Sequence, residues 1–148
     1  MNVVIEKRLL DDVAEVIFNL VQRTFTREFD PPTKDVAAVK EYLRDSEVYS
    51  VSDNGVSIGY FSFNLTSDKT VELKSIALLP SYQGKGIGKQ MLDKLFELTQ
   101  GCIINLVVHP GNTAALISYL KNGFVIKGWK EDYFEDNQPR ILMETCFD

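Results

Sequence analysis

The sequence predicts a mixed fold in the α/β to α+β range, one mostly antiparallel central sheet with helices on both faces. Three observations predict it. Runs of period-2 and helical periodicity alternate along the chain in the order β-α-α-β-β-β-α-β-α-β-β. The middle of the chain carries three β-rich runs separated only by short turns, the mark of an antiparallel meander. Cys102 to Val108 is an apolar run broken only by Asn105, as expected for a strand covered on both faces.

Each element has a local reason. Val3 to Lys7 is a short strand. Asp12 is placed to cap a helix, with Glu15 three residues on as its reciprocal partner. Val13, Val16, Ile17, Leu20, Val21 and Phe25 then recur at helical spacing. Pro31 and Pro32 end that helix, because the residue before a proline avoids the helical region. A second helix starts at Thr33 and carries Val36, Val39, Tyr42 and Leu43. Val48 to Ser52 is a strand, and Asp53-Asn54-Gly55 is a turn of residues that tolerate positive φ. Val56 to Leu65 and Val71 to Leu78 follow, joined by Ser67-Asp68-Lys69. A helix runs from about Gly84 to Thr99 with Ile87, Met91, Leu92, Leu95 and Phe96 inward. After the apolar strand comes a helix from Asn112 to Lys121. Gly123 sits at its left-handed C-cap, with Phe124 packing back. Val125 to Asp132 and Arg140 to Phe147 are the last strands, and Trp129 is expected to cover the sheet.

The 148 residues, 45% apolar and 25% charged, read as one domain spanning 1–148. A chain of this size buries about 68–70% of its unfolded surface, enough for a core without staples. Two cysteines and no CxxC pair exclude a disulfide framework and point to a reducing compartment. Cys102 and Cys146 are expected as buried apolar fillers. A net charge of −5 argues against nucleic acid, which asks for a basic stripe. There is no apolar leader and no run near the roughly 20 residues of a membrane span. The expectation is a cytoplasmic protein without a membrane partner.

The chemistry concentrates in Ile76 to Gly88, Ile-Ala-Leu-Leu-Pro-Ser-Tyr-Gln-Gly-Lys-Gly-Ile-Gly, between a strand and a helix. Glycines let the backbone approach a ligand, and the helix behind them presents free N–H groups and a positive dipole end. Together they form a cradle for phosphate, with Gln83 and Lys85 as further donors. The segment lacks GxxxxGK[ST] and does not open a βαβ unit as GxGxxG would. A ligand-free glycine-rich turn is the plainer alternative.

Gln83-Gly84-Lys85-Gly86-Ile87-Gly88 resembles the acyl-CoA loop of the GCN5-related N-acetyltransferases, Gln/Arg-x-x-Gly-x-Gly/Ala. Glu72 to Pro80 is similar to that family's fourth strand. Asn112-x-x-Ala115-Leu116-x-Ser118-Tyr119-x-Lys121-x-Gly123-Phe124 is similar to its second motif. The resemblance covers nearly the whole chain and implies a sheet whose fourth and fifth strands splay apart.

The resemblance also implies roles. Acetyl-CoA would lie in the gap as co-substrate. Ile76, Ala77 and Leu78 would meet the pantetheine and acetyl carbonyl, with the Leu78 N–H as oxyanion donor. Gln83, Gly84, Lys85, Gly86, Ile87 and Gly88 would hold the pyrophosphate, and Asn112 the cofactor arm. Tyr119 falls at the general-acid position, where it would protonate the leaving thiolate. Its alternative is a core aromatic with a satisfied hydroxyl. Glu72 is the candidate base, direct or through water, or else an exposed strand carboxylate paired with Lys74. His109, the one histidine, reads as an ordinary loop residue, and no cluster of ligands suits a metal.

The acceptor site would be framed by Phe25 to Thr33 and Glu131 to Pro139. Glu28, Asp30, Asp132 and Tyr133 are its candidate substrate-binding residues, with Glu131, Phe134, Glu135 and Asp136 nearby. Acidic and aromatic groups together suit an ammonium. The expected reaction is acetylation of a primary amine, small and cationic. The runner-up acceptor is a protein N-terminus or lysine. A non-catalytic acyl-CoA-binding module is the reading from another class. A homodimer stays open.

Overall fold

The computed structural model describes residues 1–25 and 27–145. Seven strands form one sheet in the order β1-β2-β3-β4-β5-β7-β6. They are β1 (Val3–Arg8), β2 (Glu47–Asp53), β3 (Val56–Ser67), β4 (Thr70–Leu78), β5 (Ile103–Val108), β6 (Phe124–Lys130) and β7 (Arg140–Thr145). The helices are α1 (Leu10–Thr24), α2 (Val36–Tyr42), α3 (Ile87–Leu98) and α4 (Thr113–Lys121). They cover both faces of the sheet, as expected. α1 packs on α2 and against β3 and β4, while α4 packs on β6.

The meander is built as its turns dictate. Asn54 and Gly55 both have positive φ, 50° and 83°, the geometry that a two-residue hairpin needs. Tyr49 stacks on its cross-strand partner Phe61 with ring centroids 5.2 Å apart, an aromatic pair on one face of the ladder. Ile17, Val21, Val51, Ile58, Met91, Leu95 and Ile104 fill the core between helices and sheet.

Several boundaries differ from expectation for local reasons. α1 begins three residues early, with Leu9 at its cap position and no side-chain cap. Asp12 lies inside the first turn, where its charge favours the dipole, and forms no capping box with Glu15. α2 starts at Val36, because Thr33 is held in a tight turn on the Pro31 carbonyl and Asp35 caps the Ala38 N–H at 2.8 Å. α3 starts at Ile87, because Gly84 and Gly86 have left-handed φ of 77° and 82° and cannot join a helix. β5 alternates, with Ile104, Leu106 and Val108 buried and Ile103 45% exposed, so its second face is only partly covered. Trp129 does not cover the sheet. It lies on edge strand β6, 54% exposed, with its indole N–H donated to Glu131. Cys146 and Phe147 fall outside the described residues. No helix among the described residues is long and apolar enough to cross a membrane.

Candidate active site

The site is a break in the sheet. Among the described residues β4 and β5 are the only parallel neighbours, and they pair at Thr70–Ile103, Val71–Ile104 and Glu72–Asn105 and no further. Beyond Glu72 the strands splay. On its other side β4 stays paired with β3, but the register slips between Leu73 and Ser75, so Lys74 is an extra, bulged residue. The Lys74 carbonyl faces the gap and accepts from the Tyr42 hydroxyl at 3.0 Å. Tyr42 therefore takes a hydrogen-bonding position that β5 would otherwise fill.

Alternation fixes which groups the gap receives. The Leu79 N–H points to β3, where it bonds the Ile58 carbonyl. The Ala77 carbonyl also faces β3, so near Gly59 that a Cβ there would lie 2.6 Å from it. Ile76 and Leu78 must then turn their N–H and C=O groups into the gap. The Leu78 carbonyl is taken by the Gln83 side-chain amide at 2.9 Å. What stays free is an edge of backbone N–H groups at Ile76 and Leu78, ready for an added strand-like ligand.

Two cavities meet at this edge. The larger, about 430 Å³, lies on the loop side and reaches Ala77, Leu78, Gln83, Gly84, Gly88 and Ser118. The smaller, about 70 Å³, is walled by Tyr42, Lys74, His109, Phe134 and Arg140. Phe25, Phe29, Ile76, Asn112, Ala115 and Tyr119 line both and form the waist between them.

At the mouth of the large cavity, Gly86 caps α3 with no side-chain cap. The first N–H groups of α3 are thus open for an anion. A Cβ built on Gly84, Gly86 or Gly88 would meet nothing, so the space in front of the loop is clear. The loop residues divide by position. The Ile87 side chain is core, so its backbone N–H is what it can offer. Lys85 projects over the Tyr82 ring at 5.6 Å, outside the cavity wall. Gln83 is already committed to the Leu78 carbonyl, which ties the loop to the strand end instead of leaving a free donor. Asn112 caps α4 through Oδ1, and its amide nitrogen has no hydrogen-bond partner among the described residues.

Tyr119 projects from α4 into the waist. It is 8% exposed, its ring packs on Phe124, and its hydroxyl has no partner among the described residues. Burial raises its pKa far above the ordinary phenol range, so it stays protonated. Glu72 reaches neither cavity wall. Its carboxylate sits 3.3 Å from the Lys74 ammonium, itself 4.2 Å over the Tyr42 ring. Burial, then the Glu72 charge, raises the pKa of both Tyr42 and Tyr133, so Glu72 acts on the acceptor side of the gap.

The two expected acceptor loops do come together, but not as an open acidic face. The buried Arg140 guanidinium clips them, donating to the Asp30 carbonyl at 3.1 Å, the Asp136 carboxylate at 2.9 Å and the Pro139 carbonyl at 3.0 Å. Asp136 is thus spent on Arg140. Asp132 has φ of 50° and accepts the Asn137 N–H, a turn-forming role. Glu28 is exposed, and Tyr133 is partly buried, edge-on to Phe134. None of Glu28, Asp30, Asp132 and Tyr133 lines either cavity. His109 has both nitrogens engaged, Nδ1 accepting from the Gly111 N–H and Nε2 bonded to the Gln138 side-chain oxygen. That fits a structural residue. Sequence reasoning missed Arg140 and the lining roles of Tyr42, Lys74 and Phe134. The one signal for Arg140 was a charge opening an apolar strand.

Two stability predictions arise here. Arg140→Met strips a buried cation from three oxygens and should cost about 3 kcal/mol in urea unfolding, with Arg140→Lys a poor rescue because it lacks the planar fork. Asp30 has its Oδ1 buried without a partner. Burial pushes its carboxyl up to about 6, partly opposed by Arg140. A raised carboxyl pKa means that its stabilising contribution is complete below pH 3.8 and is lost as pH rises through about 6. Asp30→Asn should therefore be more stable than the parent at pH 7, with the gap closing by pH 4 in pH-resolved denaturation.

The model of the Acetyltransferase (GNAT) family matches residues 14–124. This chain belongs to that family. It is 32% identical over 109 residues to N-alpha-acetyltransferase RimI of Mycobacterium tuberculosis, covering 71% of this chain and 69% of that one. It is 33% identical over 117 residues to the N-acetyltransferase YvbK of Bacillus subtilis, covering 77% and 74%. A GNAT family acetyltransferase from Elizabethkingia anophelis, solved with acetyl-CoA bound, shares the fold at a TM-score of 0.79 and 22% identity, covering 99% of both chains. The chain is an N-acetyltransferase, and acetyltransferases of this family draw the acetyl group from acetyl-CoA. Among the described residues no group of His, Cys, Asp or Glu could hold a metal ion.

Proposed function

We propose that this GNAT enzyme moves the acetyl group of acetyl-CoA by direct transfer onto a small cationic primary amine. The observation that carries the reading is the waist, where the free β4 edge and the Tyr119 hydroxyl stand between a large cavity and a small one. Acetyl-CoA supplies a thioester with a good leaving group. The clear space before Gly84, Gly86 and Gly88 and the α3 N-terminus fit its pyrophosphate. Ile76 and Asn112 hold the arm. The Leu78 N–H stabilises charge on the carbonyl oxygen, and Tyr119 gives its proton to sulfur.

The amine enters from the small cavity. Two rings of its wall already carry cations: Tyr42 under Lys74 and Phe134 under Arg140 at 5.1 Å. A slim alkylammonium would bind here by taking the place of the flexible Lys74 ammonium on the Tyr42 ring. Freeing a typical alkylamine of its proton at pH 7 costs about 4.6 kcal/mol, from roughly 3.4 pKa units. Glu72, next to this wall, takes that proton directly or through water. Glu72→Gln should therefore lose most rate at low pH, where free amine is scarcest. A second reading is favoured by one observation, the likeness to an N-alpha-acetyltransferase: the acceptor is a protein N-terminus.

The deciding assay follows free thiol released from acetyl-CoA with small alkylamines, polyamines and peptides with free N-termini. Small amines should give the highest kcat/KM. Superior peptides would support the second reading. Acetyl-CoA binding with no thiol release from any amine would mark a non-catalytic acyl-CoA-binding module.

A further inference from the structure

We propose that Lys74 is an intramolecular acetyl acceptor, modified on Nζ by this chain's own site when an acyl-CoA thioester is bound and no amine substrate is present. The inference rests on the transfer reading above, because it uses the same donor. Lys74 is the one lysine among the described residues that lines either cavity. It is largely buried, with 20% of its side chain exposed. Its ammonium rests on the Tyr42 ring and beside the Glu72 carboxylate, the two groups that a substrate ammonium would meet. In the resting protein Lys74 therefore occupies the acceptor's place.

Position makes the transfer reachable. Lys74 is the bulged residue of β4, two positions before Ile76 at the waist. Two strand residues span about 7 Å, within the swing of a four-carbon side chain. Glu72 takes a proton from the Lys74 ammonium. The freed lone pair forms the N–C bond to the thioester carbonyl carbon while the C–S bond breaks. Tyr119 protonates the departing sulfur and the amide nitrogen sheds its extra proton, so the products are acetyl-lysine, free thiol and one net proton. The acetylated side chain has lost its charge and with it the Glu72 pair and the hold on Tyr42. Its amide fills the acceptor cavity, so turnover of added amines should fall.

The test incubates the folded protein with acetyl-CoA and no amine, then reads intact mass and maps the modified residue. Lys74 should gain one acetyl group at least about tenfold faster than any other lysine, and an added amine substrate should suppress it. In urea-unfolded protein that preference should vanish. Lys74→Arg, which keeps a cation for Glu72 and Tyr42, should lose the rapid phase. Equal labelling of Lys74 and surface lysines, or the same rate in unfolded protein, would mark uncatalysed acetylation and overturn the inference. Thiol release with amines but no label on Lys74 would overturn it alone and leave the amine-transfer reading standing. Absence of both would count against both.

Discussion

Gly88→Leu is expected to weaken CoA binding about 100-fold while leaving the fold intact. Gly88 lies in the first turn of α3 with an ordinary helical φ, and a Cβ there meets nothing. Leucine is a good helix former, so the substitution should hold or raise the melting temperature. The added side chain instead projects into the cavity in front of the helix N-terminus, the proposed pyrophosphate site. Losing two charge-assisted hydrogen bonds costs about 3 kcal/mol, which is about 100-fold in Kd. Gly88→Ala is the control, since the family's loop accepts Gly or Ala there, and it should keep most of the affinity. Gly86→Val would be a poorer probe of the loop. At φ of 82° a branched residue strains the backbone whether or not a ligand is near. Calorimetry on folded Gly88→Leu that returns the parent affinity would remove the loop from the binding site.

The form of the loop was legible because it is written in adjacent residues. Three glycines before an amphipathic helix leave few other uses for that backbone, and the Asn112 to Phe124 motif fixed the register of Tyr119. The splay was legible only through the resemblance. Its local cause is the Lys74 bulge and the Tyr42 hydroxyl on its carbonyl, joined across 32 residues. The acceptor side was not legible for the same reason. Asp136 reads as a free carboxylate until the chain brings Arg140 under it, and the Asp30 carbonyl reaches that same guanidinium from 110 residues away. Counting acidic residues in two loops gave a face that attracts cations. Packing turned much of that charge into turn caps and one buried clip, and left aromatic rings to form the wall. Neutralising Asp132, Glu135 and Asp136 together would therefore break the clip before it tested an acceptor field.

Tyr119→Phe is expected to lower kcat about 100-fold with little change in acetyl-CoA affinity. The ring stays on Phe124, and only a hydroxyl without a partner among the described residues is removed. Nothing in the fold loses a bond, so stability should stay level or rise. A rate loss beside unchanged stability separates an acid from a packing residue. The size follows from the leaving group. A thiol of pKa near 8.5 departs readily, so the acid sits at the low end of the roughly 10²–10⁴-fold range, about 2.7 kcal/mol. Two further measurements bear on the same atom. Because burial keeps Tyr119 protonated, the parent kcat should show no alkaline limb from this residue up to about pH 10, the ordinary phenol value. Replacing CoA by a more acidic thiol in the acetyl donor should shrink the difference between parent and variant, since a better leaving group needs less help. Equal kcat for both proteins with chemistry limiting would reduce Tyr119 to a wall of the waist and leave the Leu78 N–H as the principal polar aid to transfer.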